Sequence, residues 1–170
     1  MPLPSTISSS FITRKKSLGA IQAILCFFLV VLFFPMGNAV AQTVPVTLQA
    51  ENFATKTTGD PTADGYCIWT NGYIEDSVNF PVSGNYSFIV TAFGSAAAGL
   101  WPEMEIRIDQ STIDSVTVNS GTWGTYVIEG NIPAGVHKVA IAFTNDYYNP
   151  PQDRNLFVDS IFISLSAQLP

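Results

Sequence analysis

The sequence predicts an all-β domain, a two-sheet β-sandwich of jelly-roll type, on three observations. From Val44 onward, short runs of β-branched and aromatic residues are separated by Gly, Pro, Asn and Asp. Several runs alternate apolar and polar residues with a period of two, and no segment after Gln42 carries a helical period. About eight short strands without helices pack most readily as two sheets face to face.

The strands are expected at 44–50, 73–80, 86–91, 104–108, 112–118, 125–129, 138–143 and 156–165. Met104, Ile106 and Ile108 alternate with Glu105, Arg107 and Asp109, which sends the first three to the core and the charged three to water. Val139, Ile141 and Phe143 alternate with Lys138, Ala140 and Ala142 in the same sense. Tyr86, Phe88 and Val90 alternate with Ser87, Ile89 and Thr91, and the apolar Ile89 predicts a strand covered on both sides. Turn signals at Pro81-Val82-Ser83-Gly84 and Pro133-Ala134-Gly135 each precede a strand. No linker or repeat follows Gln42, so residues 42–170 read as one domain.

Residues 1–41 have a different character. Arg14, Lys15 and Lys16 precede an almost wholly apolar run over 21–34, which Pro35 and Gly37 break before Ala39-Val40-Ala41. This is the layout of a secretory signal peptide cleaved before Gln42, with an uncleaved membrane anchor as the alternative. The expected location is secreted, periplasmic or cell-surface, with no membrane contact after cleavage. Cleavage removes three of the seven basic residues and none of the thirteen acids, leaving four against thirteen, hence −9. Such a chain lacks the clustered Lys and Arg that phosphate binding needs, so nucleic acid is excluded as a partner and cations are favoured. Cys26 leaves with the leader, and Cys67, between Tyr66 and Ile68, reads as a buried single thiol with no redox role.

Catalytic signatures are sparse. The one histidine, His137, stands beside Lys138 in an expected strand; there is no nucleophile elbow, no phosphate loop and too few His or Cys for zinc. The chain therefore does not read as an enzyme. Residues 143–159 hold the densest set of oxygen ligands: Asp146, Asp153 and the amides of Asn145, Asn149 and Asn155. Calcium takes six to eight oxygens, and a loop stiffened by Pro150 and Pro151 loses less entropy in gathering them. Asn, Asp and Pro are also ordinary turn residues, so composition leaves both readings open. Asp159 shares strand parity with Phe157, Ile161 and Ile163; if that face is the core, its carboxylate must be paired or metal-bound, with Glu51 a candidate to share the ion.

The run Asn145-Asp146 followed by Asp153-Arg154-Asn155-Leu156 and Val158-Asp159 resembles the calcium-dependent xylan-binding carbohydrate-binding modules of families 36 and 60. Gln49-Ala50-Glu51, Gly72-Tyr73-Ile74-Glu75 and Trp101-Pro102-Glu103-Met104 extend the resemblance over residues 42–170. It implies a β-sandwich whose loop carboxylates, here Asp146 and Asp153 with Asn155 a weaker match, hold calcium as a cofactor that chelates adjacent sugar hydroxyls. It also implies a structural calcium between the first and last strands, at Glu51 and Asp159. The partner would be a polysaccharide or oligosaccharide. Family members are mostly appended to xylanases or related enzymes.

Sugar rings pack their C–H faces on aromatic side chains. Trp69, Trp101, Tyr147 and Tyr148 lie in expected loops and are the candidates, with Trp123, just before a strand, less persuasive; core packing is the alternative for each. Two further functions stay open on sequence: a calcium-stabilised surface or matrix protein without a sugar ligand, and a small glycan-active enzyme.

Overall fold

A computed structural model describes residues 41–166. The leader and anchor readings of residues 1–41 fall, apart from Ala41, outside the described residues. Thirteen strands are present there: β1 Gln42–Thr43, β2 Val46–Gln49, β3 Thr55–Lys56, β4 Asp60–Thr62, β5 Gly65–Ile68, β6 Gly72–Phe80, β7 Gly84–Ser95, β8 Glu103–Ile108, β9 Ser111–Thr117, β10 Gly124–Ile132, β11 Gly135–Phe143, β12 Tyr147–Asn149 and β13 Gln152–Leu165. One 3-10 turn, Ala50–Asn52, follows β2. All eight expected strands occur; β1, β3, β4, β5 and β12 were not expected, being too short or too polar to show a period.

One sheet runs β1-β6-β11-β8-β9 with β3 also on β6; the other runs β10-β7-β13-β5-β4 with β2 and β12 also on β13. The two-sheet sandwich expected from the strand pattern is therefore present. Tyr86, Phe88 and Val90 of β7, Leu156, Val158, Ile161 and Ile163 of β13, and Met104, Ile106, Val139, Ile141 and Phe143 from the facing sheet meet in the core with almost no exposure. Phe80 sets its ring edge against Tyr86 at 4.8 Å, and the Tyr86 hydroxyl donates to the Val82 carbonyl at 2.7 Å, so the buried phenol is satisfied.

Three sequence expectations need correction. Ile108 is only half buried, because it stands at the end of β8. Ala140 and Ala142 are buried rather than solvent-facing. They are the small members of cross-strand rows, Ala140 between Glu75 and Arg107 and Ala142 between Tyr73 and Glu105. Asp159 does not share a core face with Ile161 and Ile163. The register of β13 on β7 slips between Val158 and Ser160, so a β-bulge inserts one residue and reverses parity. Phe157 and Asp159 therefore leave the core side, which passes from Leu156 and Val158 to Ile161 and Ile163. Gly65 fits this bulge: at φ +125° it lies so close that a Cβ would meet the Val158 carbonyl oxygen at 2.2 Å.

Candidate functional site

The β12–β13 hairpin organises the candidate ligands. Its register pairs Tyr147 with Arg154, Tyr148 with Asp153 and Asn149 with Gln152, with Pro150-Pro151 as the two-residue turn. Asp146 directly precedes Tyr147 and Asn155 directly follows Arg154, so continuing the alternation brings these two toward each other beyond the last pair. Cross-strand partners share a face and alternate residues share a face, so Asp146, Tyr148, Asp153 and Asn155 stand on one side of the hairpin. Tyr147 and Arg154 stand on the other.

Loops converge on this hairpin through specific bonds. The Asp146 amide donates to Asn71 Oδ1 at 2.7 Å, and Ala98 N donates to Gln152 Oε1 at 2.7 Å. Asn145 accepts from the Glu103 amide at 2.8 Å and donates to the Trp101 carbonyl at 3.0 Å. Ser95 Oγ donates to the Asp153 carbonyl at 2.8 Å and accepts from the Asn155 amide at 2.9 Å.

Arg154, which sequence reasoning passed over, holds the loops from beneath. Only 4% exposed, it donates from Nε to the Leu100 carbonyl at 3.1 Å, from Nη2 to the Ala97 carbonyl at 2.5 Å and from Nη1 to the Asn145 carbonyl. Its guanidinium carbon lies 5.7 Å from the centre of the Tyr147 ring. No charge pattern in the sequence marks it, because its partners are backbone carbonyls.

The hairpin face gathers oxygen atoms, two of which lack hydrogen-bond partners. Asp146 Oδ1 and Asn155 Oδ1 are both buried and have no hydrogen-bond partner among the described residues. Buried oxygens without donors are costly unless something positive completes them. Two carboxylates and an amide on one face suit calcium better than zinc. Among the described residues no three of His, Cys, Asp and Glu gather to hold a metal by themselves, so any ion here depends on amide or carbonyl oxygens as well. A second position repeats the theme. Glu51 Oε2 is buried without a partner, while Asp159, on the bulge beside the first-strand region, accepts from Ser160 Oγ at 2.9 Å.

Among curated proteins none matches this sequence. Residues 87–168 match the family CBM60, described as a Ca-dependent carbohydrate-binding module, xylan-binding. That stretch, just under half of the chain, resembles a family of carbohydrate-binding modules. The match covers Asp146, Asp153, Asn155 and Asp159, whereas Glu51 and Trp69 precede it. The chain is similar in fold to the CBM36-1 domain of a multidomain xylanase from the hindgut metagenome of Trinervitermes trinervoides, with a TM-score of 0.60 and 15% identity over 72% of this chain and 98% of that one. It is similar also to a CBM36 module in complex with calcium and xylotriose, with a TM-score of 0.57 and 20% identity over 70% and 99% of the two chains. A third likeness is to CBM6cm-2 of Cellvibrio mixtus lichenase 5A in complex with cellotriose, with a TM-score of 0.52 and 18% identity over 72% and 98%. At these identities the likenesses establish the sandwich fold, and the matched family is one of binding modules.

The aromatic candidates divide by position. Trp69, 43% exposed, comes directly after Ile68, the last residue of β5 and the partner of Leu156. Tyr148, 70% exposed, shares the hairpin face of Asp153. Tyr147 is half buried over Arg154, and Trp101 is half buried with its carbonyl engaged by Asn145.

Cys67 is buried, and its thiol is pushed up from 9.0 to about 11, first by burial and then by the carboxylates of Asp153 and Asp60. A rise of about two units cuts the thiolate fraction near pH 8 roughly a hundredfold. Iodoacetamide should therefore label the folded protein far more slowly than the urea-unfolded one. Equal rates by mass spectrometry would place Cys67 outside the environment described.

Proposed function

We propose that this chain is an exported, non-catalytic module that holds calcium at Asp146, Asp153 and Asn155 and through it binds a polysaccharide of xylan type. One observation carries the reading: the hairpin register gathers those three residues on one face, with two of their oxygens buried and lacking a donor. When bound, the ion supplies open positions that adjacent sugar hydroxyls can occupy. The protein's own contributions are separate: Arg154 fixes the loops, and Trp69 and Tyr148 offer apolar surface to a sugar ring beside the ligands. The basic start at Arg14-Lys15-Lys16 and the apolar run over 21–34 support export. Calorimetric titration of xylo-oligosaccharides in calcium and in chelator tests the reading; equal binding in both defeats it.

A second ion at Glu51 and Asp159 follows from the unpartnered Glu51 oxygen. In the Asp146→Ala/Asp153→Ala double variant, calcium should still raise the melting temperature, because an ion bound only by the folded state adds about 2.7 kcal/mol at a hundred times its Kd. Adding Glu51→Gln should remove most of that rise. A rise that persists undiminished in the triple variant would place the second ion elsewhere.

A further inference from the structure

An aromatic cleft lies on the same outer face, below the candidate calcium ligands. Phe93 of β7 pairs in register with Phe157 of β13, and their rings stack at 4.3 Å with planes 2° apart. Trp123, one residue before β10 and 40% exposed, packs on Phe93 with ring centres 4.6 Å apart and planes nearly perpendicular. The β4–β5 turn supplies the opposite wall, so that Thr62, Ala63, Asp64, Phe93, Trp123 and Phe157 line an open cleft of about 230 Å³.

Outer-face positions of a sandwich are ordinarily polar, and three aromatic rings meeting there leave apolar surface that water covers at a cost. A stable protein interface takes about 800 Å² per partner, far more than a cleft this narrow presents. An aromatic floor with a hydroxyl and a carboxylate at the rim matches a pyranose ring, which has apolar C–H faces and hydroxyl edges. Position narrows the occupant further. Along β13 the outer face reads Asp153, Asn155, Phe157, so the cleft begins about 7 Å from Asn155, two residues along one strand.

We propose that this cleft is a further sugar subsite, where Trp123, Phe93 and Phe157 carry a ring of the same glycan chain whose other end sits at the calcium ligands. Thr62 and Asp64 meet that ring's hydroxyls. The assignment of one continuous chain rests on the calcium reading above, whereas the cleft itself needs no ion. The module should therefore prefer long glycans to short ones, with the preference located at Trp123.

Calorimetric titration of xylotriose and xylohexaose in calcium measures this. Wild type should bind the hexaose about tenfold more tightly than the triose, a difference of about 1.4 kcal/mol. In Trp123→Ala the two should bind alike, and Asp64→Ala should lose part of the advantage. Trp123 lies before β10 rather than in the core, so melting curves should show both variants folded. A hexaose advantage that survives in Trp123→Ala, or none in wild type, overturns the subsite. Hexaose binding that persists in chelator and disappears in Trp123→Ala sustains the cleft while removing the calcium reading. Failure of both sugars to bind wild type in either condition removes both.

Discussion

Replacing Asp146 or Asp153 by Ala should abolish glycan binding while leaving the sandwich folded. Each substitution removes a negative charge and a hard oxygen from the hairpin face, and calcium affinity depends on the number of charged ligands. Neither side chain packs in the apolar core, so the loss of binding should come without a large loss of stability. Chelator should mimic the substitutions, and excess calcium should reverse the chelator but not the variants. Titration of xylo-oligosaccharides, with denaturant unfolding of each variant alongside, separates the outcomes. Undiminished binding by the double variant would exclude these residues as calcium ligands. A module that binds calcium but no glycan would instead be the calcium-stabilised surface protein.

The second large effect should come from Arg154→Met, which keeps much of the aliphatic stem and deletes the guanidinium. The carbonyls of Ala97, Leu100 and Asn145 then lose a shared charged donor. Hydrogen bonds to charged groups contribute about 1.5–3 kcal/mol each but do not add fully, so a loss of about 2–4 kcal/mol in unfolding free energy is expected. Glycan binding should fall even where the variant remains folded, because the same guanidinium ties the loop of Ala97 and Leu100 to the strand that bears Asp153 and Asn155. Arg154→Lys should rescue little, since a single ammonium cannot reproduce the planar fork. Wild-type stability and affinity in Arg154→Met would show that the loops hold themselves.

The strand pattern was legible because one-sided burial imposes a period of two. Met104 and Ile106, or Val139, Ile141 and Phe143, stand out against polar neighbours and lie in the core. The acids were legible in another way. Asp146, Asp153 and Asn155 drew notice as oxygen ligands crowded into one loop, and their resemblance to a known family gave that crowding a meaning. Short strands such as β5 and β12 gave no such signal, because three or four residues cannot display a period. An alternation continued straight through Asp159 puts Phe157 on the core side, and the bulge between Val158 and Ser160 moves it off.

The all-β class, the main strands, the acidic balance and the residue types able to meet a cation are local or compositional properties, and the order of amino acids is enough to read them. Tertiary structure decided which of them meet. The bulge between Val158 and Ser160 turned Phe157 and Asp159 outward, the hairpin register put Tyr148 opposite Asp153, and cross-strand pairing set Phe157 against Phe93. Burial of Arg154 among backbone carbonyls was equally a tertiary matter. Register and bulges are fixed by how two sheets fill the space between them, and a side chain's partner across a strand is set by residues far away in the chain.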